Sequence, residues 1–599
     1  MKKTIRILQI ILSLIFAALS FPEGVVAQII YVAPNGAGNG STWATAAGNL
    51  KLVLENADSG TVIWVKEGTY RPVSCQNCSF ADRNQSFRIP SGVQVYGGFA
   101  GWENALDQRN FDAHPTILSG DIDQNGDTTN NSFTVVYTHN VDSLTLVDGF
   151  TITGGFSNEA GAGLGTPQTS GAGWFNLGST PGGNSSPTVA NCKFIENYAW
   201  GYGGGMFNDG SFDGKCNPRL TNCLFKNNGA DNGGGAIYNT GSFDGICSPV
   251  LVGCTFENNE AELSDGGAIF NLGAEGGQCN PALTDCIFRE NVAYEGGGIC
   301  NFGKGGNSNP VLKNCLFENN EAEFGGAVFN DGTFDGYCAP EFFTCQFLTN
   351  HSINDGGAMY NSGYLGVCNP SLMDCLFEEN ESGFGGGAMF NNGNQGVSNP
   401  SIVNCRFVKN IADNYGGAMY NQGKTGHASP TISNCIFQEN TALSAGAVYN
   451  LGADGGNANA ILTNCTFFGN HANVGGAVYC NAGEGGTGAA SPTLRNCIFW
   501  ENTAVDEGDI FRIIWGTPTI SHSLVDKPNC NALYNGMGGS VTCGAGMIFN
   551  ENPKFVSPES GNFHLSDDSP AVDDGSNQAV SDANILIDLD SLPRIFNAT

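Results

Sequence analysis

Charge is scarce in this sequence, and positive charge is scarcest. Only 13% of the 599 residues are charged, and 24 Lys and Arg face 56 Asp and Glu, for a formal net charge of −32. With no basic stripe to neutralise phosphates, nucleic acid is excluded as a partner. Histidine is rare as well. The seven residues His114, His139, His351, His427, His471, His522 and His564 are scattered along the chain. No long apolar run follows residue 27, so no transmembrane segment is expected in the mature chain. The 3.6-residue periodicity of amphipathic helices is missing too, which excludes helical repeats.

The first 27 residues read as a secretory signal peptide. Lys2, Lys3 and Arg6 precede the apolar stretch ILQIILSLIFAAL, and Val25-Val26-Ala27 offers small residues for cleavage before Gln28. Removing this segment takes away three basic residues and one acidic, leaving −34. The expected location is extracellular or on the outer membrane surface.

What the sequence has in plenty is glycine, 86 residues, and a repeat. Eleven cysteines recur every 29 to 32 residues: Cys192, Cys223, Cys254, Cys286, Cys315, Cys345, Cys375, Cys405, Cys435, Cys465 and Cys497. Each is followed two residues on by Phe (Phe194 to Phe499) and five residues on by Asn (Asn197 to Asn502). The Cys-x-Phe step is strand spacing, with both side chains on one face. The residue before each Cys is Asn, Asp or Gly in ten of eleven copies, Thr344 being the exception. Those types tolerate the left-handed conformation, so a sharp bend is expected there. Upstream lies Pro-x-Leu/Ile/Val. Downstream lies Gly-Gly-Ala-x-Tyr/Phe-Asn, in which Ala and the aromatic residue share parity and the strand ends at an Asn, from Asn208 to Asn481. Three strands and three bends per 30 residues predict one coil of an all-β, right-handed parallel β-helix. Stacked about 4.8 Å apart, eleven coils would make a rod of about 50 Å.

The organisation expected is a signal peptide (1–27), an N-terminal cap with irregular first coils (28–155), regular repeats (156–522) and a closing segment (523–599). In the cap, Leu50, Val53 and Leu54 have helical spacing and predict a helix covering the first coil. The stretch IYVAPNGAGNGSTWATAAGNLKLVLENADSGTVIWVKEGTY (30–70) resembles the opening of secreted bacterial β-helix proteins of the pectin-lyase-like superfamily, of the Bacteroidetes type. The stretch NPKFVSPESGNFHLSDDSPAVDDGS (552–576) resembles their end. The Phe-x-x-Asn and Gly-Gly-Ala-Ile/Val/Met pairs are similar to repeats of chlamydial polymorphic outer membrane proteins, which are surface adhesins. The resemblance implies a β-helix and, more weakly, a surface role. Those adhesins carry a membrane barrel, whose strand alternation is not seen here, and the secreted relatives continue past a motif like DLDSLPRIFNAT (588–599) into a sorting domain.

The eleven-cysteine column reads as buried reduced thiols, since an odd column cannot pair completely. For Cys216, Cys247, Cys279, Cys338 and Cys368, which precede Pro, disulfide stapling between coils and reduced packing are both open. Cys75–Cys78 and Cys530–Cys543 are placed to close locally. Cys300 and Cys480 fall just before the strand-ending Asn and read as packing variants.

No catalytic residue emerges. Lyases of this superfamily need clustered carboxylates for calcium and a basic proton acceptor, and the hydrolases need paired carboxylates. Basic residues here do not recur beside acids on one strand. The reading is therefore a non-catalytic adhesion, recognition or structural rod, with a polysaccharide lyase or hydrolase as the alternative. For cofactors, none is expected beyond a structural calcium. Its ligands would be Asp121, Asp123, Asn125 and Asp127, which alternate around Gly126 as in a calcium loop, although the twelfth position is Ser132. A polar surface turn is the plainer alternative. Partners, a cell-surface glycan or a neighbouring surface protein, would meet the loops GSFDG (210–214, 241–245) and GTFDG (332–336). These set Phe212, Asp213, Phe243, Asp244, Phe334 and Asp335 along one face, either as exposed aromatics or as loop cores.

Overall fold

The bend expected before each column cysteine is present in every coil. Residues from Asn191 (φ 50°) to Asn496 (φ 55°) are left-handed at this position, and even Thr344 takes φ 51°. This computed structural model describes residues 29–590 apart from 74–81, 262, 508–509, 584 and 586. The signal peptide and Cys75–Cys78 lie outside the described residues.

One coil shows the plan. Strand β1 (Thr431–Ser433) ends at the Asn434 bend, β2 (Ile436–Gln438) at a second bend, β3 (Thr441–Ser444) at a third, and β4 (Val448–Leu451) closes the turn. The coil thus has four strands where three were expected. The extra one, β3, is only two residues long in many coils, such as Tyr198–Ala199. A single buried Ala is its whole apolar signal. Like strands stack in parallel into sheets of 17, 16, 12 and 15 strands, the first to fourth sheets. The rod is therefore a right-handed β-helix of about 16 turns, about 70 Å long at the usual strand spacing.

The core follows from the repeat. Ile432, Cys435 and Phe437 of this coil are at most 1% exposed. The eleven Phe form a continuous stack, with neighbouring ring centroids 4.4 to 5.1 Å apart. Each buried ring contributes about 1.5–3 kcal/mol by area. All eleven column thiols are free and buried, as expected. Cys465 shows the pattern, its Sγ donating to Thr463 O at 3.5 Å and to Ile432 O at 3.7 Å.

Two asparagine ladders run the length of the regular coils. In the first, Asn440 Nδ2 donates to Asn470 Oδ1 and to Phe407 O, both at 2.9 Å, and Asn440 N–H donates to Asn470 Oδ1 at 3.0 Å. The second runs from Asn176 through Asn208 and Asn239 to Asn450. Its last member needs a correction. The register sets Cys480, not Asn481, opposite Asn450, so Cys480 takes the ladder position and Asn450 Nδ2 has no hydrogen-bond partner.

The fourth sheet also departs from the parity expected. The strand starts one residue after the Ala, so Ile237 and Asn239 point inward and Tyr238 points outward. The aromatics therefore form a second column on the outer face: Tyr137, Phe175, Phe207, Tyr238 and Phe270, then Phe329, Tyr360, Phe390, Tyr420, Tyr449 and Tyr479. Cys300 occupies the same column between Phe270 and Phe329.

At the N-terminal end, helix α1 (Leu50–Glu55) is capped by Asn49, whose side chain accepts from Leu52 N–H. It buries Leu50 and Leu54 against the first coils, with Val53 partly buried beside them. At the other end the chain does not simply close the rod. It folds back along the outer face of the second sheet. Arg406 Nη2 donates to Gly561 O (3.0 Å), Asn434 Nδ2 to Ile587 O (2.8 Å) and Asn496 Nδ2 to Ser576 O (3.1 Å). Helix α2 (Asn577–Asp582) belongs to this return segment. Among the described residues no helix is long and apolar enough to cross a membrane.

Candidate functional sites

The GSFDG and GTFDG loops follow the fourth sheet. Their closing glycines are dictated by the neighbouring coil, since a Cβ on Gly214 would lie 2.1 Å from Gly178 O and one on Gly245 2.1 Å from Gly210 O. The backbone then holds Phe212 (φ 56°), Phe243 (φ 54°) and Phe334 (φ 51°), and the Asp after each, in the left-handed region. That is costly for a bulky side chain. The rings do not fold back over the rod: they are 55%, 50% and 50% exposed. Phe212 and Phe243 stack with centroids 4.8 Å apart and planes 6° apart. Asp213 and Asp244 stand exposed beside them. Phe334 lies farther along the same loop column, with Lys304 Nζ 4.9 Å from its ring centre and Tyr364 edge-on.

The residues of the expected calcium loop are not gathered around one point. Asp123 Oδ2 accepts from Asn125 Nδ2 (2.9 Å) and Asn130 Nδ2 (2.5 Å). Asn125 Oδ1 accepts from Asp127 N–H (2.6 Å), and Asp127 Oδ1 accepts from Thr129 N–H (3.0 Å), capping a 3₁₀ turn. Asp121 is held by its backbone, its carbonyl accepting from Arg71 Nε at 2.7 Å.

The loop cysteines left open above are buried free thiols. Cys216, Cys247 and Cys279 pack as one cluster, and Cys338 and Cys368 are equally enclosed. Cys530 and Cys543 are disulfide-bonded, with Cα atoms 6.1 Å apart.

Two groupings were invisible in the sequence. The first is a groove of about 640 Å³ between the second sheet and the return segment, where Asp374 and Arg406 face His564, Asp588 and Asp590. His564 Nε2 lies 2.9 Å from Asp590 Oδ2. Basic and acidic groups do meet here, because residues over 150 positions apart are brought together. The second is an acidic cluster at the corner between the third and fourth sheets, with Asp265 in a bend, Glu295 ending a third-sheet strand and Asp331 ending a fourth-sheet strand. Burial pushes the Asp265 carboxyl up to about 6, the Asp331 carboxyl up to about 6, and, with Asp265 and Asp331 adding repulsion, the Glu295 carboxyl up to about 9. The signal for it was the residue before each Gly-Gly pair. That residue varies from Gly to Tyr, but is acidic at 265, 295 and 355.

Residues 222–240, 253–272 and 464–481 match the Chlamydia polymorphic membrane protein (Chlamydia_PMP) repeat. No curated protein sequence matches the chain. Among solved structures, pectate lyase Pel9A is similar at 14% identity, over 70% of this chain and 78% of that one, with a TM-score of 0.29. A mannuronic acid specific polysaccharide family 6 lyase from human gut microbiota is 10% identical over 66% of this chain and 78% of that one, at a TM-score of 0.37. The catalytic domain of a GH87 alpha-1,3-glucanase is 9% to 10% identical with 88% to 89% of this chain covered and 70% of that one, at TM-scores of 0.28 and 0.26. The chain is a right-handed parallel β-helix, and segments of three of its coils match the Chlamydia polymorphic membrane protein repeat.

Proposed function

We propose that this protein is a surface-displayed recognition rod that binds carbohydrate through the Phe212–Phe243 face, without catalysis. The observation that carries this reading is the pair of half-exposed rings, parallel and 4.8 Å apart, held by left-handed backbone beside Asp213 and Asp244. Stacked in this way, the rings present an apolar ridge of edges with one ring face left uncovered at each end of the pair, against which a sugar can pack, and the adjacent carboxylates accept its hydroxyl protons. A net charge of −32 disfavours acidic polysaccharide and favours neutral or amino sugars. The secretory reading of residues 1–27 and the membrane-protein repeat support a surface location. A glycan array followed by calorimetry tests this. Neutral or amino-sugar ligands are expected to bind, and F212A with F243A to weaken binding at least tenfold. Equal binding by the double variant sinks the reading.

The groove around Arg406 and His564 favours a second reading, a polysaccharide lyase or hydrolase, with Asp374, Asp588 and Asp590 supplying carboxylates. Release of unsaturated or reducing ends from alginate or pectin, lost in R406A and H564A, would establish it. No release from a panel of acidic polysaccharides removes it.

A further inference from the structure

The fourth sheet breaks its own rule in one coil. Where Phe270 and Phe329 carry rings in the outer aromatic column, the coil between them carries Cys300. Its thiol, like that of Cys480, differs from the rest. Of the eighteen free cysteines described, sixteen donate to a backbone carbonyl, as Cys338 does to Ser308 O at 3.1 Å and Cys368 to Asn330 O at 3.4 Å. Cys300, 0% exposed, makes no such bond. It points outward, beside the Phe302 ring that stacks on Phe270 at 6.1 Å, at the place where two carboxylates converge. The Sγ of Cys300 and a carboxylate oxygen of each of Asp265 and Glu295 lie within 4.8 Å of one another. No other group of three His, Cys, Asp or Glu among the described residues approaches this closely.

We propose that Asp265, Glu295 and Cys300 bind a divalent cation of the zinc class. Three arguments converge on it. Two carboxylates and a thiol gathered without a facing salt-bridge partner are mutually repulsive once ionised, and a dication reverses that repulsion. The donors are spaced so that a small rotation of the carboxylates brings all three to bonds of about 2.0–2.3 Å around one ion. A thiolate with two carboxylates suits a borderline ion such as zinc or cobalt, whereas calcium takes oxygen ligands only. Asp331 is close by, but its two oxygens are taken by Thr333 N–H (2.9 Å) and Thr333 Oγ1 (3.1 Å), so it shapes the charge of the site and leaves the fourth position to water. The site does not depend on the glycan reading, since it lies where the chain passes from the third sheet to the fourth and not on the Phe212 loops.

The test is a cobalt titration of the full chain after chelation. The expected result is one equivalent bound, a near-ultraviolet thiolate-to-cobalt absorption band, displacement by Zn²⁺ and a raised unfolding temperature with Zn²⁺ but not with Ca²⁺. C300F keeps the fold by continuing the Phe270–Phe329 column, and E295Q keeps the side-chain shape. Both are expected to lose the band and at least 100-fold in affinity, with unchanged β-sheet circular dichroism. Absence of binding at millimolar cobalt, a band that survives in C300F, or equal stabilisation by Ca²⁺ would each overturn the assignment.

Discussion

The inner asparagine ladder is where a single atom swap should cost most. Asn350 sits in its middle and is 0% exposed. Its Oδ1 accepts from Asn320 N–H (3.1 Å) and Asn320 Nδ2 (3.0 Å), and its Nδ2 donates to Phe317 O and Asn380 Oδ1, both at 3.0 Å. Asn350→Ala removes all four bonds. Asn380 Oδ1 keeps a donor, because Asn350 N–H still reaches it at 3.0 Å. Asn320 loses the acceptor for its amide N–H and for one N–H of its side chain, and Phe317 O loses a donor. Orphaned buried groups cost about 1–3 kcal/mol each, so these three together predict a loss of about 3–9 kcal/mol. A repeat rod need not unfold in one step, so a global midpoint is a poor readout. Hydrogen exchange at the Asn320 amide is direct: exchange there should accelerate by at least 1000-fold, spreading to the coils on either side. Asn502, the last member of the ladder, accepts from Asn470 N–H (3.2 Å) and Asn470 Nδ2 (2.8 Å) and donates to Phe467 O (2.9 Å), the same kinds of partner that Asn350 serves, so Asn502→Ala should cost about as much. A loss under about 1 kcal/mol for Asn350→Ala would refute the ladder as a source of stability.

Thr344→Asn should stabilise the rod by about 1 kcal/mol in denaturant unfolding, because Thr344 is the one β-branched residue among the bends before the column cysteines, at φ 51°. Asp355 is partly buried, with its Oδ1 enclosed and unpartnered, and desolvation raises its carboxyl to about 7. The folded state therefore holds this proton more tightly than the unfolded chain, so its contribution is intact below about pH 4 and lost as pH rises through about 7. Asp355→Asn should flatten that slope and raise stability at pH 8 by about 2–4 kcal/mol, read by melting temperature across pH. The column thiols should resist alkylation in the native protein, since all eleven are buried away from reagent. Peptide mapping after iodoacetamide should find Cys192 through Cys497 unmodified, and modification there without unfolding would contradict the packing.

The period, the bends before the cysteines and the inward Cys and Phe were legible because each rests on a residue type with a strong conformational or burial preference. The second bend was not. In every coil the residue before the ladder Asn is also left-handed, yet it is Glu196, Glu290, Thr349, Glu379, Lys409, Glu439 or Glu501 in seven of them. None of these favours that conformation, which costs about 1–2 kcal/mol per residue. The ladder offsets the cost: the bend is what turns the next Asn inward to three hydrogen bonds, so tertiary context overrides local preference. The fourth strand was missed for a related reason, its identity residing in backbone pairing between coils and not in side-chain alternation. The groove at Arg406 depends on a return segment that no periodic pattern announces.

In a rod this regular, departures from the column mark places where local stability does not choose the residue. Cys480 interrupts the second ladder and leaves Asn450 Nδ2 without a partner, at the coil where the regular pattern begins to fail. Phe212, Phe243 and Phe334 take a left-handed φ where Gln395, Thr425 and Asp454 hold the same place in later coils. A Gly or Asn there would relieve strain, so an exposed ring at that position is favoured by something other than folding. Cys300 replaces a ring that would stack on Phe270 and Phe329, giving up about 0.5–1.5 kcal/mol of aromatic contact, and it does so only beside Asp265 and Glu295. Substituting these departures back to the column consensus separates the two demands. D265S with C300F should raise stability if the acidic cluster is merely tolerated, and lower it in the presence of Zn²⁺ relative to the native chain if the cluster is a cation site. The sign of that difference, measured with and without chelator, decides between them.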